Sequence, residues 1–219
     1  MLTVRKRPRR SGAAVRNPER TRGRLLWAAF EEMHRSGFRN ADLDAILARA
    51  GVTKGALYYH FENKEALGYA VVDEAIASLT CEKWLRPLQN ANKNPIDTLV
   101  GIIQSTSVKP EHLQRGCPLN NLSQEMSPLD AGFCKRTAKV FRDWRDAIAV
   151  ALREGQKRGV VRSDVNANET ATFLIAAYEG YISLTKNSQD ARMLRSGQKS
   201  VIRHLESLRP VRREWRATF

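Results

Sequence analysis

Cysteine is scarce in this chain of 219 residues, which has three cysteines, Cys81, Cys117 and Cys134. Their number is odd and no two of them have Cys-x-x-Cys spacing, so a disulfide scaffold and a structural zinc site are excluded. No apolar run is long enough to span a bilayer, and no apolar segment follows the basic N-terminus as in a secretory signal. We therefore expect reduced thiols, a cytoplasmic location and no membrane partner.

Acidic residues are also few, since 23 Asp and Glu stand against 37 Lys and Arg, for a formal net charge of +14. Such a balance suits a polyanionic partner, above all nucleic acid. The positive charge is concentrated near the N-terminus, where Glu19 is the single acid among these basic residues: Arg5, Lys6, Arg7, Arg9, Arg10, Arg16, Arg20, Arg22 and Arg24. We expect residues 1–18 to be a disordered basic arm and residues 210–219 to be a basic, frayed tail.

Alternation of apolar and polar residues with period two is missing, whereas apolar residues recur with helical spacing throughout, which predicts an all-α fold. A small domain is expected at 19–66 and a larger helical domain at 67–209. The predicted helices cover 19–36, 43–50, 54–61, 63–85, 95–107, 117–126, 130–158, 168–187 and 190–208. Pro87 is expected to stop the fourth of them.

The segment 43–61 predicts a helix, a tight turn and a second helix. Gly51 supplies a residue that tolerates positive φ at the turn, and Thr53 is a good N-cap for the helix that follows. A helix-turn-helix places such a second helix in the major groove of DNA. The apolar face of the first helix is formed at i, i+3, i+4, i+7 spacing by Leu43, Ile46, Leu47 and Ala50.

The run at 49–61, ArgAlaGlyValThrLysGlyAlaLeuTyrTyrHisPhe, and the following AsnLysGluAlaLeu at 63–67 resemble the N-terminal domain of the TetR family of bacterial transcriptional regulators. The resemblance extends without gaps over 20–67. It implies a homodimeric, sequence-specific repressor without cofactor, metal site or catalytic activity. Such a repressor leaves a palindromic operator in double-stranded DNA when it meets a small-molecule effector or a thiol-reactive electrophile.

The first turn of the second helix is expected to lie nearest the DNA. Thr53 caps the helix and its hydroxyl is placed to meet a phosphate. Lys54 suits either the O6 and N7 atoms of guanine or a phosphate, and Gly55 allows the backbone to come close.

The resemblance adds four further DNA-facing positions. It implies that the hydroxyl of Tyr58 and the ammonium of Lys64 bind phosphates, and that Tyr59 and His60 face either the DNA or the core of the domain. The alternative for both tyrosines is simple packing. The family usually has a threonine just before the second helix, which helps to hold the DNA backbone. This chain has AsnAlaAsp at 40–42 instead, so we expect the N-terminal arginines to compensate for the missing contact.

The larger domain is expected to bind the effector and to form the dimer. In the family the last two helices pair with those of a second copy, although their apolar stripes would also suit a monomer core. Aromatic residues on the buried stripes are candidate pocket walls, and they are Trp84, Phe133, Phe141, Trp144, Tyr178 and Tyr181.

The segment 115–125, beginning ArgGlyCysPro, resembles a TetR subgroup that includes an electrophile-sensing repressor. The resemblance implies that Cys117 reacts and can bond to a lysine on a later helix, where Lys186 takes the matching place. A thiol just before Pro118 would lie at a helix N-terminus, whose dipole lowers the thiol pKa. A buried structural cysteine is the alternative.

Three other functions compete with a repressor. An activator of the same family differs only in where the operator lies relative to the promoter. An enzyme would use Cys117 as nucleophile and His112 as base, but no motif supports this pair. An architectural protein would bind DNA by charge alone, without sequence preference.

Overall fold

The computed structural model describes residues 17–106 and 110–210, and of residues 110–112 only the backbone. Within these ranges the chain is helical without any strand, which confirms the predicted all-α class. The helices are α1 Pro18–Ser36, α2 Leu43–Ala50, α3 Lys54–His60, α4 64–88, α5 Pro95–Gln104, α6 Pro110–Arg115, α7 Pro118–Met126, α8 Ala131–Lys157, α9 Ala167–Ser188 and α10 Ala191–Ser207.

The first helix begins earlier than predicted, because the side chain of Asn17 accepts a hydrogen bond from the Arg20 N–H at 3.2 Å and Pro18 occupies the first helical position. Pro18 therefore belongs to α1, and Asn17 is its N-cap. The rest of the predicted arm, 1–16, and the predicted tail, 211–219, lie outside the described residues.

Capping residues fix the helix-turn-helix as the sequence predicts. Asp42 begins α2 by accepting a hydrogen bond from the Asp44 N–H at 2.9 Å. Gly51 ends α2 in the left-handed region, with φ of 62°. Thr53 caps α3, accepting from the Ala56 N–H at 3.3 Å.

The fourth helix continues past Pro87, so the prediction that this proline stops it is wrong. Its 25 residues include two π-helical turns, Val71–Ile76 and Cys81–Leu85. The second wide turn ends just before Arg86, whose N–H donates to the Cys81 carbonyl five residues back. Because a π turn widens the helix, the clash of the proline ring with the preceding turn is relieved.

Other boundaries differ more modestly. The fifth helix ends at Gln104 rather than 107, and α6, Pro110–Arg115, was not predicted because six residues carry too short a pattern to recognise.

In the larger domain α9 packs against both α8 and α10. Gly197 of α10 lies directly against the ring of Tyr181 of α9, leaving no room for a Cβ.

Several contacts join the small domain to the larger one. The Phe38 ring lies 4.6 Å from the Phe133 ring of α8. Phe38 and Phe133 both press on Gly68, where a Cβ would come within 2.6 Å of each ring. The Glu125 carboxylate at the end of α7 accepts hydrogen bonds from the backbone N–H groups of Phe38 and Arg39, both at 2.9 Å. The end of α7 is thus hydrogen-bonded directly to the turn between α1 and α2.

No helix in the described residues is long and apolar enough to cross a membrane.

Candidate functional site

The recognition helix α3 divides cleanly into a buried and an exposed side. Leu57 and, just after the helix, Phe61 are buried in the core of the small domain. Thr53, Lys54 and Gly55 are exposed at the N-terminal turn. The positions predicted to lie nearest DNA are therefore accessible to it.

The two tyrosines of α3 are not core residues, since Tyr58 is 47% and Tyr59 77% exposed. Large aromatic side chains at this exposure leave apolar surface and a hydroxyl available to a partner. His60 is half-buried, and its ring lies 4.9 Å from the Tyr59 ring, edge to face. Packing in the core of the domain therefore does not explain why tyrosines stand at 58 and 59.

Lys64 is already engaged within the chain. Its Nζ donates to the Arg39 carbonyl oxygen at 3.1 Å and lies 5.2 Å from the centre of the Phe38 ring. The ammonium has two further donors, so a phosphate contact at Lys64 stays a prediction. Asp42 is the N-cap of α2, and Ala41 is buried.

A cavity of about 470 Å³ lies where α1 of the small domain meets α4, α7 and α9 of the larger domain. Trp84, Trp144 and Tyr178 line it, as predicted. The rings of Trp84 and Trp144 are 4.6 Å apart, and the Tyr178 ring lies 4.9 Å from Trp84. This volume falls within the usual range of small-molecule sites.

Three other predicted wall residues do not line this cavity. Phe133 is fully buried against Phe38 and the Tyr69 ring. Phe141 is half-buried and stacks on the outer side of the aromatic cluster, 6.3 Å from Trp144. Tyr181 faces α10 at Gly197. Helical periodicity predicts which side of each helix is buried, but not which neighbouring helix or cavity that side faces.

Lys83 and Glu179, which the sequence analysis did not select, also line the cavity. The Lys83 Nζ donates to the Tyr178 hydroxyl at 2.5 Å and to the Thr106 hydroxyl at 3.4 Å. Burial lowers the pKa of Lys83. Glu179 is only 7% exposed, and burial raises its pKa to about 7.

A sequence signal existed for Glu179 but not for Lys83. Glu179 falls on the apolar stripe of α9 formed by Ile175, Tyr178 and Ile182, where a carboxylate is out of place. Lys83 lies in a π-helical turn of α4, whose altered period cannot be read from ordinary helical spacing.

Cys117 lies at the N-cap of α7 and lines the cavity, as its place before Pro118 predicts. The predicted lowering of its thiol pKa is wrong, however. Burial, and after it the nearby Glu179 carboxylate, raise the pKa of Cys117 well above its ordinary value and outweigh the helix N-terminus. The thiol is therefore protonated at neutral pH, which is its less reactive form.

Lys186 lies on the surface rather than in the cavity. Its Nζ donates to the Asn121 side-chain oxygen at 3.1 Å, and its aliphatic stem lies beside Gly116. It is thus next to the Gly-Cys segment in space, as the resemblance implies. The side chain of His112, the predicted base of the enzyme alternative, lies outside the described residues.

Comparison with known proteins gives consistent matches over both domains. Residues 25–71 match the family described as "Bacterial regulatory proteins, tetR family", and residues 96–201 match "Tetracyclin repressor-like, C-terminal domain". The HTH-type transcriptional repressor DhaR of Mycobacterium sp. (strain GP1) is 33% identical over 156 residues, covering 67% of this chain and 72% of DhaR. The A-factor receptor protein of Streptomyces griseus is 32% identical over 162 residues, covering 74% of this chain and 53% of the receptor.

The fold is also found among solved structures. A TetR transcriptional regulator from Chloroflexus aurantiacus J-10-FL superposes with a TM-score of 0.77 at 26% identity, covering 89% of this chain and 98% of the other.

Proposed function

The chain belongs to the TetR family of bacterial transcriptional regulators, and on that premise we propose that it is a homodimeric repressor released from a palindromic operator by a small effector. As a member of this family it is a DNA-binding regulator and not an enzyme. The relatives agree with both parts of the proposal: DhaR is a repressor by name, and the A-factor receptor protein is by name a receptor.

The observation that best supports sequence-specific DNA binding is the exposed side of α3. Its first turn presents a hydroxyl, an ammonium and a glycine, at Thr53, Lys54 and Gly55. The exposed tyrosines follow one turn later. Lysine suits guanine or phosphate, and a glycine allows close approach to the groove.

Dimerisation is supported by an exposed face on α9 and α10. Phe173 and Leu184 are 50% and 56% exposed on α9, and Met193 is 39% exposed on α10. Between the first two lies Gly180, where an added Cβ would meet nothing within 4 Å. A glycine in the middle of a helix costs about 1 kcal/mol relative to alanine, and the described part of its own chain gives no packing reason for it. Close approach of a helix from a second copy supplies such a reason.

Release is supported by the position of α7. The N-terminal end of this helix lies in the cavity wall, at Cys117 and Pro118. Its last turn holds the Glu125 carboxylate against the small domain. A ligand that prefers a shifted position of α7 therefore lowers the population of the DNA-competent arrangement. We assign release to reversible binding in this cavity, and reaction of Cys117 is the alternative that is tested below.

The experiment is selection of bound sites from a library of random duplex DNA, followed by fluorescence anisotropy on the enriched site. We expect a palindrome with half-sites about one helical turn apart. Lys54→Ala should weaken binding to it about tenfold or more, since a good base contact is worth about 1–3 kcal/mol. Lys157→Ala, at the far end of α8, is the matched control and should have no effect. Failure to enrich any sequence would favour the architectural alternative.

The thiol-reactive alternative is tested in the same assay. Wild type and Cys117→Ser are treated with a mild electrophile before titration, and we expect equal affinity for the selected site. Loss of binding in wild type alone would assign release to Cys117 instead.

A further inference from the structure

The cavity contains a buried carboxylate that accepts no N–H or O–H hydrogen bond from the described residues. Both carboxylate oxygens of Glu179 are fully buried. Such a group is costly, because a buried acceptor without a strong donor loses its hydration and gains little in return. The thiol of Cys117 does donate to this carboxylate, but a thiol is only a weak donor. Glu179 lies in the wall of the cavity, so a bound molecule can supply the missing donor.

A donor is also left without an acceptor in the same wall. The indole N–H of Trp144 is buried and has no partner among the residues described. Lys83, in contrast, already donates to the hydroxyls of Tyr178 and Thr106. The groups that still need partners are therefore one acceptor, Glu179, and one donor, Trp144.

The other charges in the wall are paired or neutral. Arg115 and Glu31 form an ion pair at 2.9 Å. His34 donates to the Gly116 carbonyl oxygen at 3.0 Å, and burial lowers the pKa of His34, so that it is neutral at pH 7. Lys83 and Glu179 balance each other when both are charged. A ligand with a net charge would therefore bring an uncompensated charge into a buried site.

From this arrangement we propose that the effector is an uncharged, largely apolar molecule of about two rings that carries a hydroxyl group, and that this hydroxyl pairs with Glu179. The inference rests on the proposed function of the cavity as the effector site. A hydroxyl both donates and accepts, so it pairs with Glu179 in either protonation state. An ammonium pairs only with the ionised form and a carboxylate only with the protonated form.

The aromatic walls determine the rest of the ligand. Trp84, Trp144 and Tyr178 present ring faces and edges, with Leu119 and Ile182 beside them. Such walls favour flat or cyclic apolar groups. A cation above these rings is disfavoured, because the Lys83 ammonium already lies 5.0 Å from the Tyr178 ring and 5.6 Å from the Trp84 ring.

The test compares four probes of the same shape without DNA: 2-naphthalenemethanol, 2-ethylnaphthalene, 2-naphthoate and 2-naphthylmethylammonium. Their dissociation constants for the full chain are measured by isothermal titration calorimetry at pH 7. We expect 2-naphthalenemethanol to bind at least tenfold more tightly than 2-ethylnaphthalene, in which a methyl group replaces the hydroxyl, because only the alcohol can form a hydrogen bond with Glu179. Both charged probes should bind more weakly than the alcohol.

Glu179→Leu removes the acceptor and keeps a buried side chain, so this variant is expected to fold. It should abolish the tenfold preference for the alcohol. Glu169→Leu, at an exposed position on the same helix, is the control and should keep the preference. Equal binding of all four probes, tighter binding of a charged probe, binding of none of them, or an unchanged preference in Glu179→Leu would each overturn the inference. None of these results depends on DNA, so they leave the selected-site experiment as a separate test of the repressor.

Discussion

At the scale of single residues, Glu179 is the most unusual side chain in the described chain. A carboxylate that is 7% exposed and accepts no N–H or O–H hydrogen bond from the described residues costs folding free energy whenever it is ionised. Burial accordingly raises the pKa of Glu179 from its ordinary value of 4.5 to about 7. A buried carboxylate of this kind fits a role in binding, because a ligand that donates a hydrogen bond to it removes the cost.

The raised pKa predicts how stability changes with pH. The folded chain keeps the Glu179 proton between pH 4.5 and about 7, whereas the unfolded chain loses it, so this residue's contribution to stability falls as pH rises through that window. Glu179→Gln, which cannot ionise, should therefore gain stability relative to wild type by about 2 kcal/mol between pH 5 and pH 8. Urea unfolding at both pH values measures this difference. A constant difference between wild type and variant would show that Glu179 titrates normally.

At the scale of helices, α7 connects the cavity to the DNA-binding domain. Gly37 adopts a φ of 81° beside it, and a Cβ there would come 2.7 Å from a Glu125 oxygen. The carboxylate is thus held closely against the turn between α1 and α2, where it accepts from two backbone N–H groups.

This contact gives a prediction for Glu125→Ala. The amides of Phe38 and Arg39 lose their acceptor, so hydrogen exchange at these two amides should accelerate by about tenfold or more, in line with roughly 1–3 kcal/mol for a charged hydrogen bond. Affinity for the selected DNA site should fall as well. Glu154→Ala, which removes an exposed surface ion pair on α8, should change neither measurement. Unchanged exchange at Phe38 and Arg39 would rule out this coupling.

The pairing of α9 and α10 with a second copy is tested at Gly180. Gly180→Leu places a large side chain where the proposed partner helix comes close, and the dimer dissociation constant measured by analytical ultracentrifugation should rise at least tenfold. Gly101→Leu is a matched control, because Gly101 is also an exposed helical glycine with open space at its Cβ position. It should leave the dissociation constant unchanged. Equal behaviour of the two variants would place the dimer interface elsewhere.

Helices were predictable from sequence where their caps and stripes are regular. Asn63 caps α4 and Asp130 caps α8, as their residue types predict. The course of α4 past Pro87 was not predictable, because it depends on a π-helical turn that leaves no periodic signal. The cavity was predictable only in part, since which aromatic residues face it depends on how α8, α9 and α10 pack and not on their spacing along the chain.

At the scale of the whole molecule, charge is the dominant property, with a formal net charge of +14. The small domain can bind DNA through α3, but its second helix lacks the usual threonine near Ala41. The basic arm at 1–16, which lies outside the described residues, is expected to add phosphate contacts.

Deletion of residues 1–16 should therefore weaken binding to the selected site and flatten its salt dependence. For each phosphate that the arm no longer neutralises, the slope of log K against log salt concentration should become shallower by about 0.9. Anisotropy titrations over a series of salt concentrations measure the slope. Deletion of the basic tail 211–219 serves as the control and should leave it unchanged. An arm deletion with the wild-type affinity and slope would assign the compensation to other residues.

The central claim, that this chain is a dimeric reader of a palindromic DNA site, is tested most directly by one anisotropy titration. The selected duplex is compared with a scrambled duplex of the same length and base composition, at physiological salt. We predict two chains per selected duplex and an affinity at least about 10³-fold higher than for the scrambled duplex. Equal affinity for both duplexes would contradict the account and leave a protein that binds DNA by charge alone.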